Sequence, residues 1–249
     1  MPLRICPRGS LRIRHLNIFT AKRIWITGAS SGLGLAFVEQ LLEQGALVTA
    51  SGRNCDALLS LYQQYHPRLK VLDGDLTDPL QAVEAARQVT EHWGAIDYLI
   101  INAGACDYLP SDSSASAVFE GIARTNLSIS RNCLETAIPL LQRGSSPQVL
   151  AVLSRYSSLQ LFKPNQPETA DNSLMKLFEY QRATLATDAI DLTIVAPQRL
   201  NDPLVQETVI LEYWSAHTAA EVILDHLPAR PPHLLLEAMH LNLLWPLPS

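Results

Sequence analysis

No apolar run in the 249 residues is long enough to cross a bilayer, although 47% of them are hydrophobic. A spanning helix needs about 20 such residues in a row, so none is expected. The four cysteines, Cys6, Cys55, Cys106 and Cys133, lie far apart and include no C-x-x-C pair. That usage argues against a disulfide framework and fits a reducing compartment, which we read as the cytoplasm. The seven histidines show no H-E-x-x-H or comparable ligand spacing, so no metal site is expected. Excess positive charge is missing too. The formal net charge is −5, and no aromatic-studded basic stripe lies outside the first residues, which argues against nucleic acid as the main partner. Internal repeats, low-complexity tracts and any break that would divide the chain are also absent, so one domain with one sizeable core is expected.

Acidic residues are missing from the start of the chain: Arg4, Arg8, Arg12, Arg14 and Lys22 all precede the first acid, Glu39. This composition fits a transit peptide but lacks its serine content, and the apolar region of a secretory signal is absent. Residues 1–22 are therefore expected to form a basic, loosely ordered extension ahead of a single domain at 23–249.

From Arg23 onward, apolar spacing alternates between strand-like and helix-like. Strands are predicted near Arg23–Thr27, Leu47–Ser51, Lys70–Asp73, Tyr98–Asn102, Gln148–Leu153, Leu192–Ala196 and His233–Glu237. Helices are predicted between them, near Gly32–Gln44, Asp56–Tyr65, Pro79–His92, Ala117–Gln142, Asn172–Thr187 and Ser215–Leu227. Runs such as Tyr98-Leu99-Ile100-Ile101 are apolar throughout, as parallel strands covered on both faces must be. The alternation predicts an α/β fold, a doubly wound parallel sheet in three α/β/α layers.

The rest of the chain is organised around Thr27-Gly28-Ala29-Ser30-Ser31-Gly32-Leu33-Gly34, which joins the first predicted strand to the first helix. Such a turn leaves the first helical N–H groups unpaired at the positive end of the helix dipole, where a phosphate is favoured. Glycine allows a tight bend and a close backbone approach. This spacing resembles the cofactor loop of the short-chain dehydrogenases/reductases, a family with a Rossmann-type fold. The resemblance extends over residues 23 to about 237 and implies contacts to a dinucleotide from Gly28, Ser30, Ser31, Gly32, Leu33 and Gly34.

In a doubly wound sheet the ligand lies beyond the carboxyl ends of the strands, so the residues that follow each strand carry the chemistry. After the second strand, Ser51-Gly52-Arg53 offers no carboxylate for a ribose 2′-hydroxyl, whereas the Arg53 guanidinium suits a 2′-phosphate. NADP is therefore expected over NAD. In Asp73-Gly74-Asp75-Leu76 the resemblance places Asp75 and Leu76 beside the adenine; the same segment reads as a helix start, with Thr77 or Asp78 as the cap ahead of Pro79. Asn102-Ala103-Gly104 is similar to the family's Asn-Ala-Gly triplet, and Pro197 closes the sixth strand where the family has Pro-Gly. Lys176 would also reach the nicotinamide ribose.

For catalysis, the resemblance implies Asn126 as the buried asparagine of a proton relay, Ser154 as the substrate-binding serine and Lys176 as the lysine of a Tyr-x-x-x-Lys pair. The tyrosine of that pair is Asn172 here, and an amide exchanges no proton near neutral pH. Tyr156 and Tyr180 are the substitutes near in sequence. Tyr156 is the better placed, two residues after Ser154, although an ordinary loop tyrosine covering the core is the stronger reading of it. Gln198 stands where the family has glycine, so both departures fall at the hydride-transfer end. Residues 199–214 occupy the place of a substrate-covering loop. The apolar tail through Trp245 fits packing against a second subunit, contact with a membrane surface or intrachain packing. The expected function is an NADP-dependent oxidoreductase acting on a small carbonyl or alcohol, as a homodimer or homotetramer. The alternative is a non-catalytic dinucleotide-binding sensor or partner subunit.

Overall fold

The computed structural model of the chain describes residues 3–5, 18–53, 55–103, 115–153, 167, 169–197 and 215–236. Ser154, Tyr156, Gly104, Gln198, the 199–214 loop and the tail from 237 lie outside them.

Eight parallel strands form one sheet. They are β1 (Leu3–Ile5), β2 (Arg23–Thr27), β3 (Leu47–Gly52), β4 (Leu69–Asp73), β5 (Tyr98–Ala103), β6 (Gln148–Leu153), β7 (Asp191–Pro197) and β8 (His233–Leu236). The helices are α1 (Gly32–Glu43), α2 (Asp56–Tyr65), α3 (Pro79–Trp93), α4 (Ala115–Leu141), α5 (Leu174–Thr187) and α6 (Ala216–His226). The strand order is β1-β8-β7-β6-β5-β2-β3-β4. The chain thus runs outward from β2 through β3 to β4, then crosses back to β5 on the other side of β2. That reversal opens a crevice at the carboxyl ends of β2 and β5.

The two-residue period of the strands divides the core. Ile24, Ile26, Val48, Ala50, Ile100 and Val152 pack under α1, α2 and α6. Their neighbours Trp25, Leu99, Ile101, Val149 and Ala151 pack under α3, α4 and α5. Each strand is therefore apolar on both faces, which is why these runs show little alternation in the sequence. At the amino ends of the strands, Asp97 holds the sheet together. Its carboxylate accepts hydrogen bonds from Arg23 N, Nε and Nη2 at 2.9, 3.1 and 2.8 Å and from Ser145 N at 2.7 Å.

The three-layer fold agrees with the sequence pattern, and strand ends differ by one residue or none. Two pieces of 1–22 are built in rather than loose. Leu3–Ile5 pairs along β8, and Phe19 is buried edge-on against Tyr98, with ring centroids 5.5 Å apart. Helix α5 begins at Leu174 instead of Asn172 because the Ser173 hydroxyl accepts from Lys176 N, which makes Ser173 the cap.

Candidate functional site

The crevice is lined by backbone that has no room for side chains. Gly28 has φ +62, and a Cβ there would lie 2.5 Å from the carbonyl oxygen of Asn102. A Cβ on Gly34, in the first turn of α1, would lie 2.0 Å from the Gly28 oxygen and 2.9 Å from Asn102 Nδ2. The Asn102 amide donates to the Gly28 carbonyl at 3.1 Å. This bond clamps the glycine loop to the end of β5. Asn102 Oδ1 and Thr27 Oγ1 are buried in the same place with no hydrogen-bond partner among the described residues. Buried polar atoms are rarely left so.

Helix α1 starts here at Ser31, whose side chain makes no capping bond, and its first turn carries no acid. Among the described residues no side chain caps the N-terminal N–H groups of α1, an arrangement suited to an anion; α2 also has no side-chain cap. By contrast α3, α5 and α6 are capped by Asp78, Ser173 and Ser215.

One strand further out, the loop meets the end of β3. Ala29 N donates to Ser51 O at 3.0 Å, and Ser30 sits so close to Gly52 that a Cβ on Gly52 would be 3.1 Å from Ser30 Cβ. Arg53, the next residue, is exposed at this corner. Gly74 N donates to Gly52 O at 3.0 Å, which brings the end of β4 alongside. The two readings of Asp75 and Asp78 separate here. Asp78 caps α3 through Leu80 N, with Pro79 in its first turn. Asp75 turns the chain instead, its Oδ1 accepting from Thr77 N and Oγ1 at 2.9 and 2.8 Å.

Beside Leu76, a cleft of about 100 Å³ is lined by Ser51, Leu72, Gly74, Gln81, Ala85 and Gln88. Two groups given no role here by the sequence fix this corner. Asn132 on α4 donates to the carbonyls of Leu76 and Thr77 at 3.1 and 3.0 Å. The Cys55 thiol lies 3.6 Å from Gly52 O and 3.9 Å from Leu72 O, and burial followed by the neighbouring Asp73 charge pushes its pKa up. Asn132 is half-buried on α4 among Ser128, Ile129 and Thr136, which are half-buried too, so no pattern in the sequence marked it.

At the other end, Ala103 closes β5 opposite Leu153 of β6, and Pro197 closes β7 opposite Leu236 of β8. Asn126 is buried within α4, and one turn on, Ser130 Oγ is buried without a partner among the described residues. Lys176, in the first turn of α5, pairs with Glu179 at 2.8 Å. Asn172 is not on the helix. Its Oδ1 accepts from Thr169 N at 2.7 Å and its Nδ2 donates to Pro167 O at 3.1 Å. Both ends of the amide thus fasten the turn before α5, which Arg131 of α4 also grips through Asp171 at 2.8 Å.

The residues present fit a dinucleotide. The glycine cradle admits a backbone-close group, the α1 terminus suits a pyrophosphate, and Asn102 Oδ1 and Thr27 Oγ1 are buried polar atoms without a partner among the described residues. Among the described residues no helix is long and apolar enough to cross a membrane.

Comparison with known proteins follows the same lines. A family model described as short chain dehydrogenase matches residues 22–209. An uncharacterized oxidoreductase of Staphylococcus epidermidis is 25% identical over 184 residues, 74% of this chain and 80% of that protein. A probable NADP-dependent dehydrogenase of Haemophilus influenzae is 35% identical over 79 residues, covering 32% of this chain and 31% of its own. A Pseudomonas aeruginosa RhlG structure, an active-site complex with NADP, superimposes with a TM-score of 0.67 at 20% identity, covering 87% of this chain and 94% of its own. That likeness shows a shared fold.

Proposed function

The chain belongs to the short-chain dehydrogenase/reductase family, and from that premise we propose that it is an NADP-preferring oxidoreductase acting on a small carbonyl or alcohol. The observation that carries this reading is the cradle of Gly28, Gly34 and Asn102 at the strand reversal, with the uncapped start of α1 beside it.

Bound NADP(H) would supply a hydride to a carbonyl carbon or accept one from an alcohol. The chain's own residues then divide the work. The N–H groups of Ser31 to Gly34 hold the pyrophosphate, and the glycines let it approach. Arg53, beside Ser30 and Gly52, pairs with the 2′-phosphate; the similarity over 79 residues to a probable NADP-dependent dehydrogenase of Haemophilus influenzae supports that preference. Leu76, Asp75 and the cleft beside them receive the adenine. Ala103, Gly104 and Pro197 border the nicotinamide half, where Lys176 binds the ribose hydroxyls. Ser154 holds the substrate oxygen by a hydrogen bond, Tyr156 supplies the proton that Asn172 cannot, and Asn126 anchors the relay that replaces it. We place the protein in the cytoplasm as a homodimer or homotetramer.

A second reading is favoured by one observation. Asn172, at the position of the family's tyrosine, is committed to the turn before α5 by both ends of its amide. A chain that has converted this position into a brace fits a dinucleotide-binding sensor or partner subunit. Steady-state oxidation of NADPH against a panel of aldehydes, ketones and quinones separates the two. Turnover that falls about 10²–10⁴-fold in Tyr156→Phe with NADPH affinity unchanged supports the enzyme. Tight NADPH binding with no turnover of any substrate supports the sensor.

A further inference from the structure

The loop from Gly74 to Asp78, which joins β4 to α3, commits nearly all of its backbone N–H groups within the protein. Gly74 N donates to Gly52 O at 3.0 Å and Asp78 N to Asp75 O at 3.1 Å. Asp75 N donates to Gln81 Oε1 at 2.8 Å, and Thr77 N to Asp75 Oδ1 at 2.9 Å. Leu76 N alone in this loop has no acceptor among the described residues, although Leu76 is only 7% exposed. A buried backbone donor is rarely left so.

The carbonyls of the loop are held from a different helix. Leu76 O and Thr77 O both accept from the side-chain amide of Asn132 on α4, at 3.1 and 3.0 Å. Gln81 grips the loop from the first turn of α3, and its Nε2 also donates to Asp78 Oδ2 at 3.3 Å. Peptide groups are planar, so a bond at one end of a group orients the other. The bond at Asp75 O orients the plane that carries the Leu76 N–H, and those at Leu76 O and Thr77 N fix the plane that follows. Two helices thus leave one aimed donor beside the cleft that Leu76, Ser51 and Gln81 line.

We infer that Asn132 is a positioning residue for the base of the dinucleotide, with Gln81 as its counterpart on α3. Between them they hold the loop so that the Leu76 N–H meets an acceptor nitrogen of the purine. Asp75, one residue back, presents a carboxylate suited to the exocyclic amine, so the nitrogen is one that neighbours this amine, N1 or N7. The inference rests on the NADP reading above and names how that site recognises its base.

Calorimetric titration of the full chain with adenosine 2′,5′-bisphosphate and with its 1-deaza and 7-deaza counterparts tests this without any turnover. Each deaza form replaces one ring nitrogen by C–H and keeps the amine and both phosphates, so Arg53 contributes equally to all three. One of the two should bind wild type roughly tenfold more weakly than the parent, the cost of an unpaired N–H. In Asn132→Ala that ratio should fall close to parity, and in Gln81→Ala, which removes an exposed side chain, it should fall part of the way. Asp97→Asn, destabilised at the opposite ends of the strands, should keep the full ratio. Failure of wild type to bind the parent bisphosphate overturns the NADP reading and this inference with it. Binding of all three alike by wild type, or a wild-type ratio in Asn132→Ala whatever its affinity, overturns the inference alone. Should Asn132→Ala not fold, the ratio in Gln81→Ala decides in its place.

Discussion

Gly34→Ala sets two physical effects against each other. In an ordinary helix interior, alanine is preferred to glycine by about 0.5–1 kcal/mol. At Gly34 the added methyl would lie 2.0 Å from the Gly28 carbonyl oxygen, 2.8 Å from its carbon and 2.9 Å from Asn102 Nδ2. The first contact is roughly an ångström closer than Cβ atoms tolerate, and the obstacle is backbone. Overpacking of this kind costs about 1–3 kcal/mol. Moving the loop also breaks the Asn102 to Gly28 hydrogen bond, about 0.5–1.5 kcal/mol more. The crowding wins, with a net loss of about 2 kcal/mol, or a fall in Tm of about 4–8 °C for a chain of this size. Urea denaturation and a thermal scan measure it, and NADPH affinity should drop in the same variant because the displaced carbonyl closes the cradle. A midpoint at or above wild type, as helix propensity alone predicts, would refute the close approach on which the site rests.

Three further outcomes follow from particular contacts. Burial pushes the Asp97 carboxyl up, but the Arg23 and Ser145 bonds more than reverse this and hold it below the usual carboxylate range. Its contribution to stability is therefore present above about pH 4 and lost as acid titrates it. Asp97→Asn should cost roughly 3 kcal/mol at pH 7, the low end for a broken buried pair because Arg23 is 26% exposed, and should flatten the acid limb of a urea-midpoint-versus-pH curve. Asn172→Tyr should destabilise by about 1 kcal/mol through loss of the two turn bonds, and by itself should not raise carbonyl turnover; a gain in kcat without loss of stability contradicts the brace. In thiol labelling mapped by mass spectrometry, Cys133, fully buried and pushed up to about 12 by burial, should stay unmodified until the protein unfolds, while Cys55 should react more slowly than an ordinary thiol at pH 8.

The readable parts of the fold were those written as periodicity. Arg23–Thr27 and Gln148–Leu153 match the predicted strands because an apolar run bounded by polar residues leaves one solution. The glycine loop was legible for a related reason: only glycine serves at Gly28, where φ is positive, and at Gly34, where a methyl has no room. What stayed hidden is specified by contacts between distant parts of the chain. Leu3–Ile5 has too few residues to show a period and is defined by the edge it pairs with. Asn132 and Cys55 gain their roles only when α4 and the ends of β3 and β4 come together. Asn172 was legible as a departure from the family's pattern, but the sequence could not say that Thr169 and Pro167 would hold its amide. Of the two cap candidates, Asp78 caps α3 through Leu80 N, while Thr77 donates to Asp75 instead.

The crevice between β2 and β5 is the proposed NADP(H) site, with Arg53 reading the 2′-phosphate. Calorimetric titration of wild type and Arg53→Ala with NADPH and with NADH tests it most directly. Trp25, bonded through Nε1 to Ser51 at 2.8 Å beside the cleft, offers a parallel fluorescence signal. Wild type should bind NADPH more tightly than NADH, with Arg53→Ala losing roughly tenfold or more for NADPH, about 1.4 kcal/mol, and little for NADH. Failure of wild type to bind either nucleotide would contradict it.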